Sequence, residues 1–291
     1  MQGVGIDAKR WMALVARHQN KESKAIKVIV AGAAGRMGAR LISLIDESKT
    51  FQLTGAVERK GHDAIGQDVG ELAGCARLGI SLSDDVTAIA GAADVLIDFT
   101  APEAVLANLH AMALHRKAMV IGTTGLSTPQ LAELVTIARS VPCVFSPNMS
   151  VGVNVLLKIV AEMARTFKDD YDIEVTEAHH RLKKDAPSGT ALKLAKVLAE
   201  ATGKDFDSVA TYGRKGIVGE RKQGEIGMQV IRAGDIVGDH TVLFGGMGER
   251  IEVTHRATSR DTFARGALRA AAWVVKQSPG LYDMQDVLGL K

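Results

Sequence analysis

Between residues 26 and 145 the chain repeats one phrase: a short apolar run, a turn, then a stretch that favours helix. Ile26–Ala31, rich in β-branched residues, runs into Gly32-x-x-Gly35-x-x-Gly38 and the helical stretch Ala39–Asp46. Leu53–Val57 ends at Glu58-Arg59-Lys60-Gly61, and a short helix is expected over Asp84–Ala90. Val95–Phe99 ends at Thr100, Ala118–Ile121 runs into Gly122-Thr-Thr-Gly125, and Val141–Phe145 closes the series. Two capping boxes are expected between them. Thr100-Ala-Pro-Glu103 precedes a helix running to about His115, and Ser127-Thr-Pro-Gln130 precedes Leu131–Arg139. Strand, turn and helix in alternation demand a parallel sheet covered by helices.

After Ser146-Pro147-Asn148 the rhythm changes. Val151–Phe167 has the apolar period of a long helix. Tyr171–Thr176, Gly227–Arg232, Thr241–Phe244 and Arg250–His255 read as strands, with one helix, Thr190–Ala201, among them. Such a set builds an α+β unit with a mixed or antiparallel sheet. Asp261–Gln277 is a final helix expected to pack back on the first unit. The expected division is a flexible extension over 1–24, a dinucleotide-binding domain over 25–149 and 260–291, and a substrate-binding and tetramerisation domain over 150–259. The fold class is α/β: a Rossmann-like domain plus an α+β domain with a mixed open sheet.

The glycine loop carries the first chemistry. Gly32 permits the turn after the strand, Gly35 lets backbone approach phosphate, and Gly38 allows close packing of the next helix. Free N–H groups at that helix start suit a pyrophosphate. Glu58, at the end of the second strand, is placed to accept ribose hydroxyls, while Arg59 beside it suits a 2′-phosphate. Lys60 reads as part of a solvated turn. Asp98-Phe99-Thr100 and Gly122–Gly125 end strands of the same sheet, at the carboxyl edge where such folds bind ligands.

Glu177–Thr190, reading EAHHRLKKDAPSGT, carries the second. An imidazole among lysines is a proton carrier near neutral pH. Lys183 suits the same task or a carboxylate. Ser188 is a good N-cap, and Gly189 and Thr190 offer N–H groups at a helix start, which is a carboxylate receptor. Lys184 reads as exposed. Adjacent histidines with no nearby cysteine do not make a tetrahedral metal site, and no Gly-x-Ser-x-Gly elbow marks a hydrolase. For Arg232 and His240 a structural role is at least as well supported as anion binding. His255, in phase with Ile251 and Val253, reads as a satisfied sheet residue.

Bulk properties remove other classes. The net charge of +3 is too small for nucleic acid. No segment approaches the ~20 apolar residues of a membrane span. The two cysteines, Cys75 and Cys143, form no disulfide framework and suit a reducing, cytoplasmic compartment.

Taken in order, AGAAGRMG (31–38), VER (57–59), DFT (98–100), GTTG (122–125), SPNMSVGVN (146–154), EAHHRLKKDAPSGTAL (177–192), IRAGDIVGDHTV (231–242) and GERIEVTHRATSRDTFARGA (248–267) closely resemble the dihydrodipicolinate reductase family. The likeness covers about residues 25–290. It implies a homotetramer, a cofactor of NADH or NADPH, and a small cyclic dicarboxylate substrate on the diaminopimelate route to lysine. By resemblance the cofactor residues are Gly32, Ala33, Ala34, Gly35, Arg36, Met37, Glu58 and Arg59, with Phe99 and Thr100. Gly122, Thr123, Thr124, Ser146, Pro147, Asn148 and Met149 fall on the nicotinamide side. His179 and Lys183 match the catalytic pair. His180, Lys183, Gly189, Thr190 and Thr124 match binders of substrate, and the final proton donor is left open among His179, Lys183 and water. The competing readings are a reductase of another small acid and a cofactor-binding sensor without turnover.

Overall fold

The computed structural model describes residues 24–291. Apart from Lys24, the extension expected over 1–24 lies outside the described residues.

Six strands form a parallel sheet: β1 (Ile26–Ala31), β2 (Phe51–Val57), β3 (Val95–Asp98), β4 (Ala118–Ile121), β5 (Pro142–Phe145) and β11 (Gly280–Tyr282), in the order β11-β5-β4-β3-β1-β2. The fold is Rossmann-like. β3 and β4 are buried on both faces, as parallel strands under two helical layers must be. Side chains alternate between the layers. Val28, Val30, Ile97 and Val120 meet Leu41, Ile45 and Ala267 on one face, while Ile29, Leu96, Met119 and Ile121 meet Leu109 and Leu134 on the other. Each such side chain taken from water contributes ~1.5–3 kcal/mol.

The second sheet holds β6 (Asp172–His179), β7 (Ala210–Tyr212), β8 (Ile226–Arg232), β9 (Gly238–Gly245) and β10 (Arg250–Ala257). Its order is β10-β9-β6-β8-β7, with β6, β7 and β8 parallel and β9 antiparallel to both β6 and β10. It is therefore mixed. One face carries Ile173, Val175, Met228, Val242 and Phe244, covered by the helices Val151–Phe167 and Gly189–Ala201 through Leu156, Val160, Leu194 and Leu198.

The final helix, Asp261–Val274, packs against the first sheet, with Ala264, Ala267, Ala271 and Val274 in its core. Arg40 clamps it to the glycine-loop helix by paired hydrogen bonds of 2.6 and 2.8 Å to Asp261. It stops three residues before the expected Gln277, and β11 and a short helix, Met284–Leu288, follow it.

The capping box at Thr100 does not form. The helix Pro102–Leu114 starts from Ala101 without a side-chain cap, and the Thr100 hydroxyl donates to Asp98 instead, at 2.7 Å. A buried carboxylate competes better for that hydroxyl than the helix end does, because its oxygens have no water to fall back on. At Ser127 the capping box is complete, with Gln130 as partner. β6 extends to His179, three residues past its expected end, which places Glu177 and His179 on the helix-covered face with Ile173 and Val175.

Candidate active site

The glycine loop has the geometry a dinucleotide requires. Gly32 has φ +76°, and a Cβ on Gly38 would collide with the Gly32 carbonyl and lie 2.6 Å from the Ala33 Cα. The helix Arg36–Asp46 begins at Gly35 with no side chain capping it, so its first N–H groups remain for a ligand. Glu58 accepts from the Ala34 N–H at 3.3 Å and from the Arg59 N–H at 2.9 Å. That fixes its carboxylate at the lip of the loop. These residues fit the pyrophosphate and ribose of a nicotinamide dinucleotide.

Asp98 organises the neighbouring loops. It is fully buried, yet no cation pairs with it among the described residues. Four donated bonds hold it instead: the Thr100 N–H at 3.0 Å, the Thr100 and Thr123 hydroxyls at 2.7 Å each, and the Asn108 amide at 2.8 Å. Thr123 is thereby turned inward. In this way Asp98 ties the end of β3 to the end of β4, beside Phe99 and Gly122.

Two cavities meet at the segment after β5. The smaller, about 260 Å³, is lined by Arg36, Met37, Phe99, Gly122, Pro147, Asn148, Met149, Arg260 and Phe263. The larger, about 1060 Å³, runs between the two sheets' domains. Thr124, Ser146, His179, Lys183, Gly189 and Thr190 are among the residues on its wall. Pro147 and Asn148 line both. Asn148 also reaches across, donating from its amide to the Thr190 hydroxyl at 3.0 Å. Asn154 in turn donates to the Asn148 carbonyl at 2.9 Å, and Gln285 of the C-terminal helix donates to the Asn154 carbonyl at 2.9 Å.

The expected helix start forms as its local sequence dictates. Ser188 caps the helix Gly189–Ala201 by accepting from the Ala191 N–H at 3.2 Å. Lys183 pairs with Asp185 at 2.9 Å, and that contact is the main cause holding the Asp185 carboxyl below its ordinary range. His180 does not line the large cavity.

Behind this helix start lies a buried polar cluster that register creates. In the β6–β9 and β6–β8 pairings His240 falls opposite Glu177, and Arg232 falls beside His179. Glu177, 1% exposed, accepts from the Ser188 N–H at 2.9 Å and from both terminal nitrogens of Arg232 at 2.8 Å each, and lies 2.5 Å from His179 Nδ1. Burial pushes its carboxyl up, but Arg232, His179 and the Ser188 N–H together outweigh this and hold it below the carboxylate range. The anion that Arg232 binds is thus Glu177. His240 sits 3.2 Å from the Ser188 hydroxyl through Nε2, while its Nδ1 is buried without a partner. Burial first, then the nearby His179, pushes its pKa down to about 4. His255 is satisfied on one side only. Its Nε2 lies 3.4 Å from the Ser150 hydroxyl, but its Nδ1 is buried and unpartnered.

Arg260, Phe263, Asn154, Gln285 and the hub role of Glu177 were not legible in the sequence. Arg260 and Phe263 sit at the start of the final helix; its expected return to the first domain and their place in the block 248–267 were the signals toward them. The other three depend on strand register or on the C-terminal segment.

Comparison with known proteins agrees with this geometry. A family model described as "Dihydrodipicolinate reductase, N-terminus" matches residues 26–149, and one described as "Dihydrodipicolinate reductase, C-terminus" matches residues 152–288. The 4-hydroxy-tetrahydrodipicolinate reductase of Geotalea daltonii is 56% identical over 91% of this chain and 100% of its own length. That of Geobacter sulfurreducens is 57% identical over 91% of this chain and 99% of its own. In structure, the dipicolinate-bound dihydrodipicolinate reductase of Paenisporosarcina sp. TG-14 superposes with a TM-score of 0.70 at 23% identity, covering 90% of this chain and 99% of that one. An amine dehydrogenase from Mycobacterium smegmatis shares the fold at a TM-score of 0.61, with 14% identity over 89% of this chain and 95% of its own. With both halves matched in order and identity above one half across nearly the whole described chain, the protein belongs to the dihydrodipicolinate reductase family and is an oxidoreductase.

Proposed function

We propose that this chain reduces 4-hydroxy-tetrahydrodipicolinate to tetrahydrodipicolinate with NADH or NADPH, releasing water, on the diaminopimelate route to lysine. One observation carries the reading: Pro147 and Asn148 are the shared wall of a cavity beside the glycine loop and a cavity bearing His179, Lys183, Gly189 and Thr190. A ligand in the first and a dicarboxylate in the second meet across two residues.

Gly32–Met37, with Glu58 and Arg59, hold the dinucleotide; Phe99, Thr100, Gly122–Thr124 and Ser146–Met149 line its nicotinamide end. Residues 25–149 with 260–291 form this cofactor body, and 150–259 form the substrate and assembly body. Lys183, Thr124 and the N–H groups of Gly189 and Thr190 bind the substrate carboxylates; His180, expected with them, is not on this cavity's wall. Because the Thr190 hydroxyl accepts from Asn148, its own proton is left to donate to substrate. When bound, the nicotinamide supplies a hydride to the ring carbon that carried the hydroxyl. Loss of water first gives a conjugated imine, and each turnover then consumes one proton. His179, Lys183 or water delivers it. Closure about Ser146–Val153 excludes water and strengthens every charge contact in the cleft. The open face of the second sheet, where Ile231 is partly exposed on the same side as Thr241 and Thr254, is the surface for tetramer assembly. The protein is read as cytoplasmic: Cys75 and Cys143 are both free thiols, and no helix among the described residues is long and apolar enough to cross a membrane.

The test is nicotinamide oxidation with freshly generated substrate and each cofactor in turn. Substrate-dependent oxidation that collapses in His179→Ala and Lys183→Ala supports the assignment. Folded, cofactor-binding protein with no oxidation sinks it.

A further inference from the structure

We infer that Glu177 is the positioning residue of this reaction: it holds His179 with its proton on Nδ1, so that Nε2 is the atom that exchanges protons with substrate. The inference rests on the reductase reading above and on His179 as a proton carrier. Nothing in the local sequence demands a carboxylate at 177, since the other core positions of that strand face, Ile173 and Val175, are aliphatic. Yet Glu177 is almost completely buried and every bond it makes serves the site.

The geometry admits one tautomer. Glu177 is ionised, because Arg232 forks onto both of its oxygens. An ionised carboxylate only accepts, so a ring nitrogen 2.5 Å from it must carry hydrogen. His179 Nδ1 is therefore N–H in every protonation state of the ring. Among the described residues Nε2 has no hydrogen-bond partner, and it belongs to a ring that lines the large cavity. Its inner flank is Gly238, where a Cβ would come within 3.0 Å of Nε2 and crowd it. The other charged and titratable groups around the ring are His240, whose ring centre is 5.2 Å away, and Arg232; Lys183 stands on the same cavity wall.

The proton path then balances without a change at Glu177. Nε2 takes a proton from water and the carboxylate offsets the charge on the ring. Nε2 then gives that proton to the reduced substrate, and the ring returns to its Nδ1–H form. Arg232 keeps Glu177 from taking the proton itself. The same carboxylate holds the Ser188 N–H, and Arg232 also donates to the Asp185 carbonyl at 2.6 Å. Proton carrier and carboxylate receptor are thus set from one point.

Two measurements test this. Nitrogen-15 spectra of histidine-labelled wild-type protein should show the neutral His179 ring protonated on Nδ1, with Nε2 as the bare nitrogen. The assignment comes from the signal missing in His179→Ala. Separately, Glu177→Gln should lower kcat by ~10–100-fold, within the contribution of a positioned proton donor. KM for the dicarboxylate should change by less than about threefold, because Gln still offers an acceptor to the Ser188 N–H. The Gln amide turned toward His179 would drive the ring to its Nε2–H form, the error that an orienting amide imposes on a catalytic histidine. A wild-type ring protonated on Nε2 overturns the inference, as does a folded Glu177→Gln enzyme with kcat within about twofold of wild type. Should the variant fail to fold, the wild-type spectrum decides. An inactive wild-type enzyme would instead sink the reductase reading and leave the tautomer result standing.

Discussion

Replacing Arg232 by Met should destabilise the protein in a way that depends on pH. The substitution keeps the aliphatic stem and removes the guanidinium. Glu177 then stays buried with only the Ser188 N–H and His179 as partners. Removing one member of a buried ion pair costs ~3–5 kcal/mol. Arg232 is itself 19% exposed, so some water reaches the gap and the lower end, ~3 kcal/mol, is the expectation at pH 7.5. The sign with pH follows from linkage. In the wild type the Glu177 carboxyl is depressed, so its contribution is present above the unfolded value near ~4.3 and is lost as pH falls through the folded one. In the variant the desolvated carboxyl is raised instead, so protonation relieves it and stability recovers as pH falls. The difference between the two proteins should therefore shrink between pH 7.5 and 5. Urea unfolding of both at the two pH values, compared at equal m, reads this directly. A loss below about 0.5 kcal/mol, or one equal at both pH values, would refute the view of Glu177 as a buried anion held by Arg232.

Arg59→Ala should lower kcat/KM with NADPH by ~10-fold or more and leave NADH within about twofold, since a hydrogen bond to a charged group contributes ~1.5–3 kcal/mol; steady-state kinetics with both cofactors decide it. Asn148→Ala should raise KM for the dicarboxylate by ~3–10-fold, because the amide that orients the Thr190 hydroxyl is lost, together with the bond that its Oδ1 accepts from the Ser150 N–H; steady-state kinetics at saturating cofactor checks it. His240→Gln should flatten the acid limb of stability. The wild-type ring stays neutral down to about pH 4 while the unfolded ring protonates near ~6.5, so wild-type stability falls as pH drops across that window. Thermal unfolding between pH 7 and 4.5 should show a shallower decline in the variant.

The architecture of the first sheet was legible because its physical causes are local. β-Branched runs such as Ile26–Ala31 and Ala118–Ile121, each followed by a turn and a helix, admit little besides covered parallel strands. The glycine loop and the Ser188 cap were legible for the same reason: a tight turn and a helix start are written in consecutive residues. The long helix Val151–Phe167 was equally plain, since its apolar period runs unbroken over four turns.

Tertiary structure decided what depends on pairing between distant segments. Thr100 looked like a helix cap, but the buried Asp98, whose need for donors arises only once β3 is enclosed, took its hydroxyl. Arg232 and His240 were ambiguous in sequence because nothing local tells which residue of β6 each will face; register sets them around Glu177. Arg260 and Phe263 reach the cavity beside the glycine loop only because the last helix returns across more than one hundred residues to the first sheet. A sequence by itself fixes periodicity and turns, which are short-range. Which buried charges meet, and hence which nitrogen of His179 is left to act, follows from long-range register and closure.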